Sequence, residues 1–122
     1  MIDEDPRVAF ALVARYTELR PKVAALAYNI AGRLKRESAQ PAGPVSLALT
    51  VEALRETRRV VSREPGGAAL RQLAPRPGDS YARLHEIIEE AAFALDAFHR
   101  RYYRTFANDL EGEWWIDPAT EP

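Results

Sequence analysis

The chain has 122 residues, 47% of them hydrophobic and 29% charged, with a net charge of −1 at pH 7, values that fit one soluble globular domain large enough to bury its own core. It contains no cysteine, which excludes disulfides, thiolate zinc sites, iron–sulfur clusters and Cys nucleophiles. The balanced charge and a pI near 6.1 lack the basic footprint of a nucleic-acid binder, and no apolar run approaches the ~18 residues that would span a bilayer.

The acidic start Met1-Ile2-Asp3-Glu4-Asp5 has neither the basic nor the apolar part of a signal peptide, so a cytoplasmic protein without membrane attachment is expected. Asp5-Pro6 reads as a helix start, because Asp caps free N–H groups and Pro at the first helical position loses nothing. From Val8 onward Leu12, Tyr16, Leu19, Val23, Leu26, Ile30 and Leu34 keep one register straight through Pro21. One helix kinked at Pro21, or two collinear ones, is therefore expected to end near Arg36. Phe10, Val13, Ala24, Tyr28 and Ala31 widen its apolar arc to about 200°, well beyond a simple surface helix. More than one neighbour should cover such a helix.

Ser38 to Pro44 is a loop on composition. Val45, Leu47, Leu49 and Val51 alternate as a strand would, but no second strand offers itself as a partner. A helix from Ser46 or Thr50 to Arg63 is the preferred reading. Glu64-Pro65-Gly66-Gly67 ends it, a short helical turn over 68–73 follows, and Ala74 to Gly78 breaks the chain again. Asp79 or Ser80 then caps a helix expected to run to about Ala107, some 28 residues and ~42 Å. Residues 108–122 form an acidic tail that carries Trp114-Trp115.

The last helix carries two interleaved patterns. Leu84, Ile87, Ile88, Ala91, Ala94, Leu95, Phe98, Tyr102 and Phe106 make an apolar stripe. His85, Glu89, Asp96, His99 and Tyr103 share one flank beside it at three- and four-residue spacings. Carboxylates and imidazoles one turn apart suit a metal or acid–base chemistry. Asp96-x-x-His99 resembles half of the carboxylate-bridged di-iron pattern, yet both histidines lie on this one helix and the second half is missing. No metal and no cofactor is assigned. Phosphate-loop, nucleophile-elbow and zinc-protease motifs are absent.

Phe93 stands opposite the apolar stripe, among Glu86, Glu90 and Arg100. An exposed aromatic there, a last helix of ~42 Å that would project from a globule ~35 Å wide, the wide arc of the first helix and two tail tryptophans point to self-association, with a C2 dimer the commonest closed form. The expected protein is an all-α bundle of three long helices and one short one, packed largely antiparallel and dimeric. Its expected function is that of a non-catalytic interaction module working through Phe93, Trp114 and Trp115. The alternative is a helical-bundle enzyme or small-ligand binder using His85, Glu89, Asp96, His99 and Tyr103. A third reading is a helix-turn-helix-like nucleic-acid binder with Arg71 reaching DNA and Arg58, Arg59, Arg101 and Arg104 supporting it. Arginine on the solvated face or last turn of a helix is common and favoured by the helix dipole, which weighs against that third reading.

Overall fold

The computed structural model describes residues 6–37, 39–105 and 111–122. Among the described residues the helices are α1 (Phe10–Glu37), α2 (Pro44–Val61), the single turn α3 (Gly67–Leu70) and α4 (Tyr81–Tyr102). Strands β1 (Tyr103–Thr105) and β2 (Gly112–Trp114) and a 3-10 turn over Pro118–Thr120 follow. The architecture is the expected all-α bundle of three long helices and one short one.

The first helix starts at Phe10, not at Pro6; Asp5, its expected cap, lies outside the described residues. Tertiary hydrogen bonding decides this. Val8 donates to the Trp115 carbonyl at 2.9 Å and accepts from the Asp117 amide at 2.8 Å, which holds residues before Phe10 extended. The free amide of Phe10 is then capped by the Thr120 hydroxyl at 2.9 Å, from the far end of the chain. The helix is unbroken through Pro21. Both Pro21 and Thr17, whose carbonyl the missing N–H would have engaged, are solvent-exposed, so water can replace the lost bond.

Residues 45–51 are helical, resolving the alternating pattern: Thr50, Ala53, Leu54, Thr57, Val60 and Val61 are the buried face of α2. The fully buried Thr50 and Thr57 donate their hydroxyls to the Ser46 and Ala53 carbonyls, so neither leaves a polar group unpaired in the core. The turn into α3 is tight. A Cβ at Gly67 would sit 2.2 Å from the Val61 carbonyl oxygen, so only glycine fits there. Helix α3 spans Gly67–Leu70, shorter than the expected 68–73; its last carbonyl, at Leu70, accepts from the Leu73 amide and from the Arg58 guanidinium, which also donates to the Leu73 carbonyl.

Ser80 caps α4 by accepting from the Arg83 amide at 3.1 Å. The helix ends at Tyr102, not near Ala107, and Phe106 and Ala107 lie outside the described residues. Twenty-two residues give a rod of ~33 Å, matching the width of a compact chain of this size. The length that had suggested a projecting helix is therefore not present. What stops α4 is strand pairing: Tyr103, Arg104 and Thr105 face Trp114, Glu113 and Gly112 in an antiparallel ribbon.

Cross-links between the connections fix the helix directions. The Ala42 amide donates to the Asp79 carbonyl at 2.8 Å, tying the α1–α2 loop to the start of α4. The Tyr102 hydroxyl donates to Glu64 at 2.7 Å, tying the α2–α3 loop to its end. Helix α1 is thus antiparallel to both neighbours, while α2 and α4 run parallel. Val23 and Ile30 of α1, Leu54, Val60 and Val61 of α2, Leu70 of α3 and Leu84, Ile87, Ile88, Leu95 and Phe98 of α4 meet at the centre, each at most 1% exposed. No helix among the described residues is long and apolar enough to cross a membrane.

Candidate functional site

The five residues of the polar stripe do not converge. Burial of Leu84, Ile87, Ile88 and Leu95 sets the rotation of α4 and leaves the stripe at its half-exposed edge. His85 Nε2 lies 3.3 Å from Glu89 Oε1 in a local i,i+4 pair. Asp96 accepts from Arg20 Nε at 3.0 Å, an ion pair between α4 and α1. His99 is enclosed by rings, stacked on Tyr103 at 4.6 Å and on Tyr16 at 5.8 Å, with Trp114 edge-on at 5.2 Å. His85 and His99 are separated by fourteen residues, ~21 Å along the helix. Among the described residues no three of His, Cys, Asp and Glu come together as metal ligands would. Burial lifts the Tyr16 phenol above its ordinary pKa, opposed by Arg20 and reinforced by Asp96.

The aromatic cluster is where the tail returns to the bundle. Trp114 packs against Tyr16 (5.2 Å), His99 (5.2 Å), Tyr103 (5.5 Å) and Phe98 (5.9 Å). Trp115 is half-buried beneath the Arg7 and Arg104 guanidinium groups, 4.7 and 5.7 Å from its ring. Both tryptophans therefore contact their own chain, and the surface they offer a partner is what this packing leaves over. Gly112 permits the return, since a Cβ there would lie 2.5 Å from the Tyr103 ring and 2.6 Å from the Arg104 carbonyl.

The arginines of the nucleic-acid reading are engaged within the fold. Arg58 holds the end of α3, Arg59 pairs with Glu56 at 3.1 Å, and Arg101 pairs with Glu64 at 3.3 Å. Arg104 donates to the Arg101 carbonyl at 2.8 Å. Helix α3, a single turn, is too short to serve as a recognition helix, although Arg71 at its end is exposed. Burial, then the hydrogen bond to and charge of Glu64, push the phenol of the buried Tyr102 up to about 12.

Large apolar side chains remain in solvent on two sides of the bundle. On the α4 side Phe93 is 66% exposed, with the Arg100 guanidinium 6.0 Å from its ring. It borders a cleft of about 290 Å³ whose walls include Val61, Pro65, Ala69, Ala97 and Arg101. On α1 and α2, Phe10, Tyr28, Val45 and Leu49 are 39%, 85%, 70% and 51% exposed. A cleft of about 470 Å³ runs between those helices, with Leu19, Leu26 and Ala53 at its base and Glu18, Lys22 and Glu56 among its charged rim.

This second surface was not singled out in the sequence. Its signal was the wide apolar arc of α1, whose residues Phe10, Ala24 and Tyr28 the bundle leaves uncovered. Comparison with protein-family models, with curated proteins and with solved structures finds no match to this chain.

Proposed function

We propose that this chain is a non-catalytic helical interaction module of the cytoplasm, which self-associates as a homodimer and presents the Phe93 surface to a protein partner. The observation that carries the reading is the distribution of apolar exposure. The fold buries Phe98 and Tyr102 and packs Trp114 into a ring cluster, yet among the described residues it leaves five large apolar side chains in water. Scattered single exposures are ordinary, but four of these five lie on α1 and α2, and one of them, Leu49, lines the cleft between those helices. Against this, the groups best suited to chemistry are committed to neighbours: Asp96 to Arg20, His85 to Glu89, His99 to surrounding rings.

Sedimentation equilibrium from about 1 to 100 μM tests the self-association. The expected result is a reversible approach to twice the 13.7 kDa chain mass. A single species at the chain mass throughout that range would overturn the proposal.

A further inference from the structure

Helix α1 carries two seams with the same spacing. Leu12, Tyr16, Leu19, Val23, Leu26 and Ile30 follow a 4-3-4-3-4 rhythm and face the core. Two positions ahead of each stand Phe10, Ala14, Thr17, Pro21, Ala24 and Tyr28, with the same rhythm. A shift of two residues is about 200° around a helix, so the second seam lies diametrically opposite the first. All six of its residues are solvent-exposed, and none is charged.

Alternating spacings of three and four over five intervals are the pattern by which one helix packs along another. The core takes the first seam together with Val13 and Ala27, and none of the second. Side-chain size on the second is palindromic: an aromatic at each end, an alanine next inward, Thr17 and Pro21 in the middle. Two crossed helices are closest at the crossing point and diverge from it, so small central and large terminal residues fit such a pair.

We infer that this outer seam is the dimer face, with α1 of one copy lying antiparallel against α1 of a second copy, about a twofold axis passing level with residue 19. The inference rests on the self-association proposed above and specifies its geometry. Phe10 of each copy then meets Tyr28 of the other, Ala14 meets Ala24, and Thr17 meets Pro21.

Charge selects the antiparallel direction. The flank of α1 beside α2 carries Arg15, Glu18 and Lys22, and an antiparallel twofold brings this flank against itself, so each Glu18 can reach the other copy's Lys22. A parallel twofold would bring Arg15 and Lys22 toward the opposite flank, where the charged group is Arg20, already held by Asp96. The same operation places α2 on the side where the copies meet. Leu49, which shares a cleft with Asn29 on α1, then lies beside the other copy's Phe10, and the cleft is enclosed between the two chains.

The area is sufficient. The eighteen residue steps from Phe10 to Tyr28 give ~27 Å of length, and two helices side by side are ~20 Å across. That face amounts to roughly 550 Å² per copy and 1,100 Å² in all, above the ~1,000 Å² expected of a specific interface.

Because the chain has no cysteine, engineered thiols report the register without background. Ala14→Cys and Ala24→Cys variants should each stay uncrosslinked alone under mild oxidation, since like positions would be ~15 Å apart along the axis. Mixed, they should form a disulfide dimer, because Ala14 and Ala24 are then level and near enough for a bond. Ala24→Arg should weaken the dimer at least ~30-fold by burying a charge within the seam. It should leave the circular dichroism of the monomer unchanged, whereas Phe93→Glu should leave dimerisation intact. Equal crosslinking of either variant with itself would overturn the antiparallel register. A dimer by sedimentation that ignores Ala24→Arg would overturn the face while sparing the self-association; absence of any dimer would remove both.

Discussion

Replacing Trp114 with alanine tests whether the C-terminal segment is part of the fold or an appendage. The indole touches four rings, those of Tyr16, Phe98, His99 and Tyr103, at centroid distances of 5.2–5.9 Å. Truncating a core tryptophan costs about 3–5 kcal/mol. Trp114 is half-buried, which lowers the burial part, while each ring pair adds ~0.5–1.5 kcal/mol beyond area.

The expected loss is about 3 kcal/mol, combining those two effects. For a domain of this size each kcal/mol moves the midpoint by ~3–5 °C, so Tm should fall by about 10 °C. Thermal unfolding followed at 222 nm measures it, with Trp114→Phe as the control that keeps a ring and should lose less than half as much. The contacts also predict where the damage spreads. Trp115 and Val8 share the same strap, so the Thr120 cap on α1 should loosen with it, and a Trp114→Ala/Thr120→Val pair should cost less than the sum of the two. A Trp114→Ala midpoint within ~2 °C of the parent would refute the reasoning, because no integral four-ring contact is that cheap to remove.

Two further predictions concern groups near the end of α4 and the end of α2. The Tyr102 phenol is raised from its ordinary 10 to about 12 by burial and Glu64. The folded state thus holds this proton more tightly than the unfolded one, and the associated stability, complete below pH 10, is lost as pH rises toward 12. Absorbance at 295 nm should show a tyrosine titrating late, and Glu64→Gln should move it back toward 10; unchanged late titration in that variant would show that Glu64 takes no part. Arg58→Ala should cost roughly 1.5–3 kcal/mol in denaturant unfolding, since it strips the charged donor from the Leu70 and Leu73 carbonyls. Arg59→Ala removes only an exposed pair with Glu56 and should stay within ~0.5 kcal/mol. Equal effects would refute the role given to Arg58, and heparin retention at low salt that both variants lose would favour the nucleic-acid reading.

The bundle was legible because helical periodicity is a local property written into residue spacing: the seams of α1 and α4, the breakers at Pro65-Gly66-Gly67 and Ala74–Gly78, and the Ser80 cap. The uncharged wide arc of α1 was legible too, as an excess of apolar surface. The candidate site was half-legible. The spacing puts His85, Glu89, Asp96 and His99 along one flank of α4, whereas Tyr103 falls in β1; spacing along one helix cannot say what stands opposite, and Arg20 and Trp114 stand there.

What only the tertiary structure decided were the ends of elements and the fate of the tail. Helix α1 begins where Val8 finds strand partners and Phe10 finds Thr120, more than a hundred residues away. Helix α4 stops where Tyr103 finds Trp114. An element's interior is stabilised by neighbours three and four residues off, which the sequence displays directly. Its termini are set by whichever distant donor or acceptor meets the unpaired backbone groups, and that meeting exists only once the chain has folded.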